Sequence, residues 1–183
     1  SPTLYRCIVE LGDDTFVTSF GFRTIRFDQN NLYINDQKVF LRGLNRHQCY
    51  PYIGYAAVDS LQEEDARILK EELHVNAVRT SHYPQSQSFI DACDRYGLYV
   101  FTEIPGWQHI GDEIWKQQAI QNTKDMVLQY RNHPSIILWG VRINESLDDD
   151  ELYAKTNEVA RNLDPTIPTA GVRYLTKSHL LED

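Results

Sequence analysis

Residues 131–145 have the sequence RNHPSIILWGVRINE, and this stretch decides the fold class. Its apolar run, Ile136 to Trp139, contains no polar residue, which predicts a strand buried on both faces, as in parallel sheets. A turn at Pro134 precedes this strand, and Asn144 and Glu145 follow it. In barrels of alternating strands and helices, chemistry is done at the carboxyl ends of the strands. An amide beside a carboxylate at such an end suits a site that holds a hydroxyl and delivers a proton.

The residues on either side show short apolar strands that alternate with amphipathic helices from residue 41 onward, a pattern typical of a parallel sheet. Strands are predicted at Val39–Leu44, Ala77–Thr80, Leu98–Phe101, Ile136–Trp139 and Thr169–Tyr174. One helix is predicted to begin with a capping box of Ser60 and Glu63, another to end at Gly97, and two more to cover about 113–131 and 149–163. These five strands and four helices are too few for a closed eight-fold barrel, which needs roughly 250 residues. An open doubly wound sheet fits the same count, but its glycine-rich phosphate turn is missing.

Residues 3–41 differ from the rest because they contain extended stretches and no helical pattern. Tyr5, Cys7 and Val9 alternate with polar or charged neighbours, and the turn at Asn35–Asp36 predicts a hairpin. The sequence therefore predicts two parts, one of strands alone at residues 1–38 and one of strands and helices at residues 39–183.

The composition is that of an ordinary globular protein, with 183 residues of which 42% are hydrophobic and 24% charged. A net charge of −8 without a basic run argues against nucleic acid or an anionic membrane as a partner, and no apolar stretch has the length of a membrane span. Cys7, Cys49 and Cys93 make no metal spacing, and Cys93 lies on an apolar helix face, which favours a buried, inert thiol. Cysteine usage favours a cytoplasmic location, although the chain begins with Ser1 and export signals can lie upstream.

A second motif occurs at the predicted second strand of the barrel. Residues 76–84 have the sequence NAVRTSHYP, and Asp94 and the run GLYVF at 97–101 follow. Together with residues 131–145, this motif resembles the two signatures of glycoside hydrolase family 2, the family of β-galactosidases and β-glucuronidases. The second signature departs from the family at Tyr130, which is usually polar or charged there. It also has three residues, 141–143, before Asn144 where the best-known members have two, which predicts a bulge at the strand end.

The resemblance implies a fold for almost the whole chain. Residues 1–38 resemble the last strands of the immunoglobulin-like β-sandwich domain that precedes the family's barrel. Residues 40–47, FLRGLNRH, resemble the first barrel strand. The expected fold class is therefore α/β, a partial (β/α)8 TIM barrel of about five strands at residues 39–183, preceded by terminal strands of a sandwich.

The resemblance makes Glu145 the general acid/base. A retaining glycosidase needs one protonated carboxylic acid for the leaving oxygen and one carboxylate nucleophile about 5–5.5 Å away. Burial beside Trp139 is expected to raise the pKa of Glu145 toward the working pH, as acid catalysis requires. The structural alternative is a glutamate that caps a helix or forms a salt bridge.

The resemblance also implies roles for five neighbours, each with a structural alternative. Asn144 would bind the sugar 2-hydroxyl, or else form a turn. His82 and His47 would bind sugar hydroxyls, or else serve the fold. Arg79 would orient the nucleophile, or else form a buried ion pair. Glu103 matches an acidic position of the family, and it would support the nucleophile or simply be the partner of Arg79 or another base.

Magnesium is not expected from the ligand pattern. The best-known β-galactosidases bind it through a glutamate and a histidine two residues apart after the third strand, and the corresponding residues here are Trp107 and His109. Loss of the hard oxygen ligand disfavours the metal. Trp107 would instead stack on a sugar face, or else pack against its loop.

The expected function of the parent protein is that of a retaining exo-β-glycosidase acting on a terminal β-linked sugar, with β-galactosidase as the leading activity. The family's nucleophile lies on the seventh barrel strand, so these 183 residues alone are expected to be inactive. The alternative is a non-catalytic partial barrel that binds sugar weakly or self-associates through its open strand edges. A metal-dependent hydrolase fits poorly, because no His-X-His cluster is present.

Overall fold

The computed structural model describes residues 2–28 and 30–183. Its strands are β1 Tyr5–Leu11, β2 Asp14–Phe20, β3 Ile25–Asp28, β4 Asn31–Ile34, β5 Gln37–Val39, β6 Gly43–Arg46, β7 Ala77–Thr80, β8 Tyr99–Glu103, β9 Ile136–Gly140 and β10 Thr169–Ala170. Its helices are α1 Asp59–Arg67, which continues as a π-helical segment at Ile68–Glu72, α2 Gln87–Tyr96, α3 Glu113–Tyr130 and α4 Asp150–Leu163.

The central element is a parallel sheet with the strand order β6-β7-β8-β9-β10. A helix lies between successive strands in the sequence, so the predicted α/β alternation is confirmed. The main core lies between this sheet and the helices, and its members are completely or almost completely buried, among them Val78, Phe89, Val100, Met126, Ile136, Trp139 and Tyr153. Because all strands of the sheet are parallel, their carboxyl ends meet at one edge, where the polar residues of both motifs follow them.

The first parallel strand lies later in the sequence than predicted. The strand predicted at 39–44 is divided between two sheets: Val39 pairs with Leu32 in an antiparallel sheet, and β6 begins only at Gly43. Gly43 faces Ala77 so closely that a Cβ there would lie 2.5 Å from the Ala77 carbonyl oxygen. A glycine is therefore required at this point of the sheet, and periodicity alone did not show it.

Strands β3, β4 and β5 form a separate antiparallel sheet that packs against the parallel one. Asn35 and Asp36 connect β4 to β5 with φ of 50° and 60°, so the hairpin predicted there is confirmed. Leu32 and Ile34 are buried against Ile137 of β9. Strands β1 and β2 form a two-stranded hairpin with mostly exposed side chains. The immunoglobulin-like domain and the division at residue 38 therefore stay predictions.

The helix ends are only partly as predicted. The capping box of Ser60 and Glu63 is wrong, because α1 begins at Asp59 after Val58 without a side-chain cap. Gly97 ends α2 in the left-handed conformation with φ of 70°, as predicted. Within the described residues, no helix combines the length and apolar character that a membrane crossing needs.

Candidate active site

The structure brings the predicted site residues to the carboxyl ends of four neighbouring strands. His47 follows β6 and His82 follows β7. Glu103 ends β8, and Trp107 lies in the loop after it. Asn144 and Glu145 follow β9. The opposite end of the sheet has a cavity of about 780 Å³, lined by residues such as Asn76, Tyr99 and Pro134, but no predicted site residue lines it.

Arg79 and Glu103 form the innermost contact of the site. Arg79 Nε lies 2.7 Å from Glu103 Oε1, and Nη2 lies 3.1 Å from Oε2. Glu103 is 1% exposed, so its charge requires this partner. A Cβ on Gly140 would lie 2.6 Å from Glu103 Cγ, which means that the glycine of the β9 motif makes space for this carboxylate. The predicted pairing of Arg79 with Glu103 is thus present.

Asn144 is held by the same guanidinium. Arg79 Nη2 donates to Asn144 Oδ1 at 2.5 Å, and Asn144 is 2% exposed. Because its oxygen accepts from Arg79, the amide directs Nδ2 elsewhere, and this nitrogen is buried without a hydrogen-bond partner among the described residues. An unpaired buried donor is costly unless a ligand satisfies it.

The two predicted histidines lie next to each other. His82 Nδ1 is 3.2 Å from Arg79 Nη2 and 3.4 Å from Glu103 Oε2. The rings of His47 and His82 have centroids 5.2 Å apart. The Tyr83 hydroxyl lies 3.4 Å from His47 Nδ1, and burial raises the pKa of Tyr83 to about 12, so this phenol stays protonated. Sequence reasoning missed Tyr83, although it belongs to the quoted motif 76–84.

Arg46 is another residue that sequence reasoning missed. It is 6% exposed at the end of β6, where Nε donates to Asp65 at 2.8 Å and Nη2 to Gln62 at 2.7 Å, while Nη1 donates to Gln85. Its guanidinium also lies 3.9 Å from the ring centroid of Phe89. Arg46 therefore ties the end of β6, next to His47, to α1 and α2.

Glu145 is half-buried, and its carboxylate receives two hydrogen bonds on one oxygen. Trp107 Nε1 and Gln108 Nε2 each lie 3.2 Å from Oε2. The hydrogen bond from Trp107 is the largest cause and that from Gln108 the next, and together they hold the pKa of Glu145 below its ordinary value. The expected rise is therefore wrong for these residues, because Trp139 is fully buried in the core and N–H donors surround the carboxylate instead.

The structural alternative for Glu145 is partly excluded. Helix α4 is capped by Asp149, whose side chain accepts from Leu152 N, so Glu145 is not its cap. The backbone of Glu145 has φ of 52°, and its N–H donates to Val172 O at 2.9 Å. The three residues before Asn144 are buried. Arg142, the middle one, pairs with Asp148 at 2.5 Å.

A cluster of two carboxylates and a histidine, formed by Asp91, Asp94 and His133, lies away from the site. His133 Nδ1 is 2.6 Å from Asp94 Oδ2, and Ser135 N donates to Asp94 Oδ1 at 2.9 Å. The Asp94 contacts tie α2 to the turn before β9, which is a structural task.

Tyr130, the departure from the second signature, is buried nearby, and its hydroxyl donates to the Gln85 carbonyl.

Comparisons with known proteins identify the family. Residues 25–180 match the family described as "Glycosyl hydrolases family 2, TIM barrel domain". The chain is 58% identical over 188 residues to a β-galactosidase of Thermoanaerobacter pseudethanolicus and 54% identical over 187 residues to one of Thermoanaerobacterium thermosulfurigenes. Each match covers the whole of this chain, but only 25% of the first relative's length and 26% of the second's.

Solved structures agree with this match. The apo structure of Bacteroides uniformis β-glucuronidase 3 superposes with a TM-score of 0.84 at 34% identity, over 93% of this chain and 24% of that one. The five parallel strands therefore belong to a TIM-barrel domain. The matched family, the relatives and the shared fold agree, and the chain belongs to glycoside hydrolase family 2.

Proposed function

We propose that the parent protein is a retaining exo-β-glycosidase in which Glu145 is the general acid/base and Asn144 binds the sugar 2-hydroxyl. The observation that carries this proposal is the arrangement of the two residues after β9. The buried Nδ2 of Asn144 has no partner among the described residues. The next residue in the sequence, Glu145, places its carboxylate at the same carboxyl-terminal end of the sheet. A sugar hydroxyl would satisfy this donor, and the hydrogen bond would strengthen in the transition state.

The proposed reaction has two steps. In the first, protonated Glu145 gives its proton to the leaving oxygen while a carboxylate from elsewhere in the parent protein attacks the anomeric carbon. In the second, ionised Glu145 takes a proton from the water that releases the sugar. Glu103 is not proposed as the nucleophile, because both of its oxygens are held by Arg79. These 183 residues alone are proposed to be inactive.

A neutral galactoside is the proposed substrate. The relatives at 54% and 58% identity are named β-galactosidases, whereas the β-glucuronidase 3 structure is 34% identical. The charges agree with this choice. Arg79 is already paired with Glu103, so its cation is not free to bind the carboxylate of a uronic acid. Magnesium is not part of the proposal, because Trp107 stands where the best-known members have a carboxylate ligand.

The test uses Glu145→Gln in the full-length parent protein. We expect kcat/KM for methyl β-galactoside to fall by about 10²- to 10⁴-fold, since this substrate needs a proton on its leaving group. The matched control is Glu158→Gln, which changes an exposed glutamate of α4. Full activity of Glu145→Gln would contradict the acid/base role of Glu145. A parent protein that cleaves glucuronides and leaves galactosides intact would contradict the proposed substrate class.

Self-association is a second candidate function for the isolated 183 residues. Within the described residues, β6 and β10 each pair with one neighbour and lie at the two edges of the parallel sheet. Unpaired edges present free backbone donors and acceptors to another chain. Light scattering of the 183-residue chain would show oligomers that grow with concentration, and a constant monomer mass would contradict this candidate.

A further inference from the structure

The loop segment Trp107–Gln108 contacts Glu145 in a way that the two reaction steps do not explain. The indole Nε1 and the amide Nε2 both donate to Glu145 Oε2, each over 3.2 Å. We propose that Gln108 is a positioning residue for Glu145, which together with the Trp107 N–H keeps Oε2 as an acceptor and leaves Oε1 to carry the transferable proton. This inference rests on the function proposed above.

The choice of oxygen follows from which atoms can donate. An indole N–H and an amide NH₂ are donors only. A proton on Oε2 would place an O–H opposite two N–H groups. An Oε2 without a proton accepts from both of them, whether or not Oε1 is protonated. The two donors therefore make Oε1 the oxygen that is protonated in the acid step. They keep the same hydrogen bonds to Oε2 when Glu145 becomes the base.

The backbone keeps the two segments in register. Gln108 N donates to Asn144 O at 2.7 Å, and Trp107 forms a parallel β-bridge with Asn144. Gln108 and Glu145 have φ of 61° and 52°, in the left-handed region that residues with a side chain seldom adopt. Such conformations persist where the surroundings determine them. The side chain of Gln108 is exposed, and these backbone contacts direct it at Glu145.

The contact also has an electrostatic consequence that can be measured. The hydrogen bonds from Trp107 and Gln108 favour the ionised form and hold the pKa of Glu145 down. Loss of the Gln108 donor must raise this pKa. Catalysis of the first step needs the protonated acid, so kcat/KM falls at alkaline pH as Glu145 ionises. The alkaline limb of the pH profile is therefore expected to move to higher pH when the donor is removed.

The experiment compares Gln108→Met with Gln118→Met in the full-length parent enzyme. Methionine keeps the length of the side chain and removes the N–H donor. Gln118 is an exposed residue of α3 whose amide donates to Asn122, so its replacement is a matched control. Two substrates are used: methyl β-galactoside, which needs the acid, and 2,4-dinitrophenyl β-galactoside, whose leaving group departs without a proton.

For Gln108→Met we expect the plateau value of kcat/KM, measured below the alkaline limb where Glu145 is protonated in both enzymes, to fall about 10- to 100-fold on the methyl glycoside and less than about threefold on the dinitrophenyl glycoside. The alkaline limb is expected to move to higher pH, and Trp107→Phe, which keeps a ring and removes the N–H, is expected to act in the same direction. Gln118→Met is expected to match the unchanged enzyme. Equal losses on both substrates, or an unmoved alkaline limb, would overturn the proposal.

Glu145→Gln in the same assay separates this inference from the function on which it rests. If Glu145→Gln keeps full activity on the methyl glycoside, the acid/base assignment itself fails. If Glu145→Gln loses that activity while Gln108→Met behaves like Gln118→Met, only the role of Gln108 fails.

Discussion

Arg79 holds Glu103 through two hydrogen bonds, from Nε to Oε1 at 2.7 Å and from Nη2 to Oε2 at 3.1 Å. The same Nη2 donates to Asn144 Oδ1, so one guanidinium joins the ends of β7 and β8 to the residue that follows β9. Glu103 is buried, and a buried carboxylate that loses its partner destabilises the fold. The pair therefore serves both the stability of the sheet and the orientation of the Asn144 amide.

Arg79→Lys is expected to damage activity and stability together. A lysine ammonium cannot replace the fork that bonds both oxygens of Glu103 and also reaches Asn144. We expect kcat/KM of the parent enzyme to fall about 100-fold and its free energy of unfolding to fall by about 1–3 kcal/mol. Steady-state kinetics and urea unfolding measure the two effects.

The control for Arg79→Lys is Arg95→Lys. Arg95 pairs with Glu63 at 3.1 Å, and both side chains are about half exposed. An exposed pair contributes little, so we expect a change below about 0.5 kcal/mol and unchanged kinetics. Equal effects of the two substitutions would contradict the importance given to the Arg79–Glu103 pair.

Asn144→Ala is expected to lower kcat/KM by about 10²- to 10³-fold, because it removes the donor that we propose acts in the transition state. The loss should depend on the sugar 2-hydroxyl. With a 2-deoxygalactoside, the same substitution should cost less than about threefold, since the hydroxyl that Nδ2 would bind is already absent. Asn122→Ala on the exposed face of α3 is the control. A full loss on the 2-deoxy substrate would count against a contact with this hydroxyl.

The positions of the strands could largely be predicted, because unbroken apolar runs mark β8 and β9. The shared location of His82, Glu103 and Asn144 then follows from strand direction alone. Their contacts could not be predicted, because they depend on the register between strands. The pairing of Glu103 with Gly140, for example, is what gives the carboxylate its space. The strand predicted at 39–44 was wrong for a related reason, because strand pairing divides this segment: Val39 belongs to β5 and Gly43 begins β6.

The pKa of Glu145 shows a second limit of the sequence. A glutamate after a strand that contains Trp139 suggested an apolar environment, yet the indole of Trp139 belongs to the core. The residues that decide the pKa, Trp107 and Gln108, are 37 to 38 positions away and reach Glu145 through a loop. Trp107 was predicted to stack on sugar and Gln108 was not considered. The signal available in the sequence was that the N–H-bearing side chains of Trp107 and Gln108 stand next to each other in the loop after β8. Whether such side chains reach a site depends on the geometry of the loop, which the sequence does not give.

Asp94→Ala is expected to destabilise the barrel more than a change at its exposed neighbour Asp91. Asp94 is buried and accepts from Ser135 N while pairing with His133, so its loss leaves two donors unsatisfied. We expect the free energy of unfolding of the parent protein to fall by about 2–4 kcal/mol. Asp91→Ala, whose carboxylate is 3.8 Å from His133 and half exposed, should cost less than about 1 kcal/mol. Similar losses for both aspartates would contradict this account.

Cys93 is expected to resist alkylation, in contrast to Cys49. Cys93 is fully buried, and burial raises the pKa of its thiol, so at pH 8 it remains in the protonated form that reacts poorly. Cys49 is exposed and free. Iodoacetamide should therefore label the Cys49 peptide of the native parent protein within minutes and leave the Cys93 peptide unlabelled, as measured by mass spectrometry. In denaturant both should react at similar rates, because unfolding removes the burial that separates them. Rapid labelling of Cys93 in the native protein would mean that α2 does not seal this side of the core.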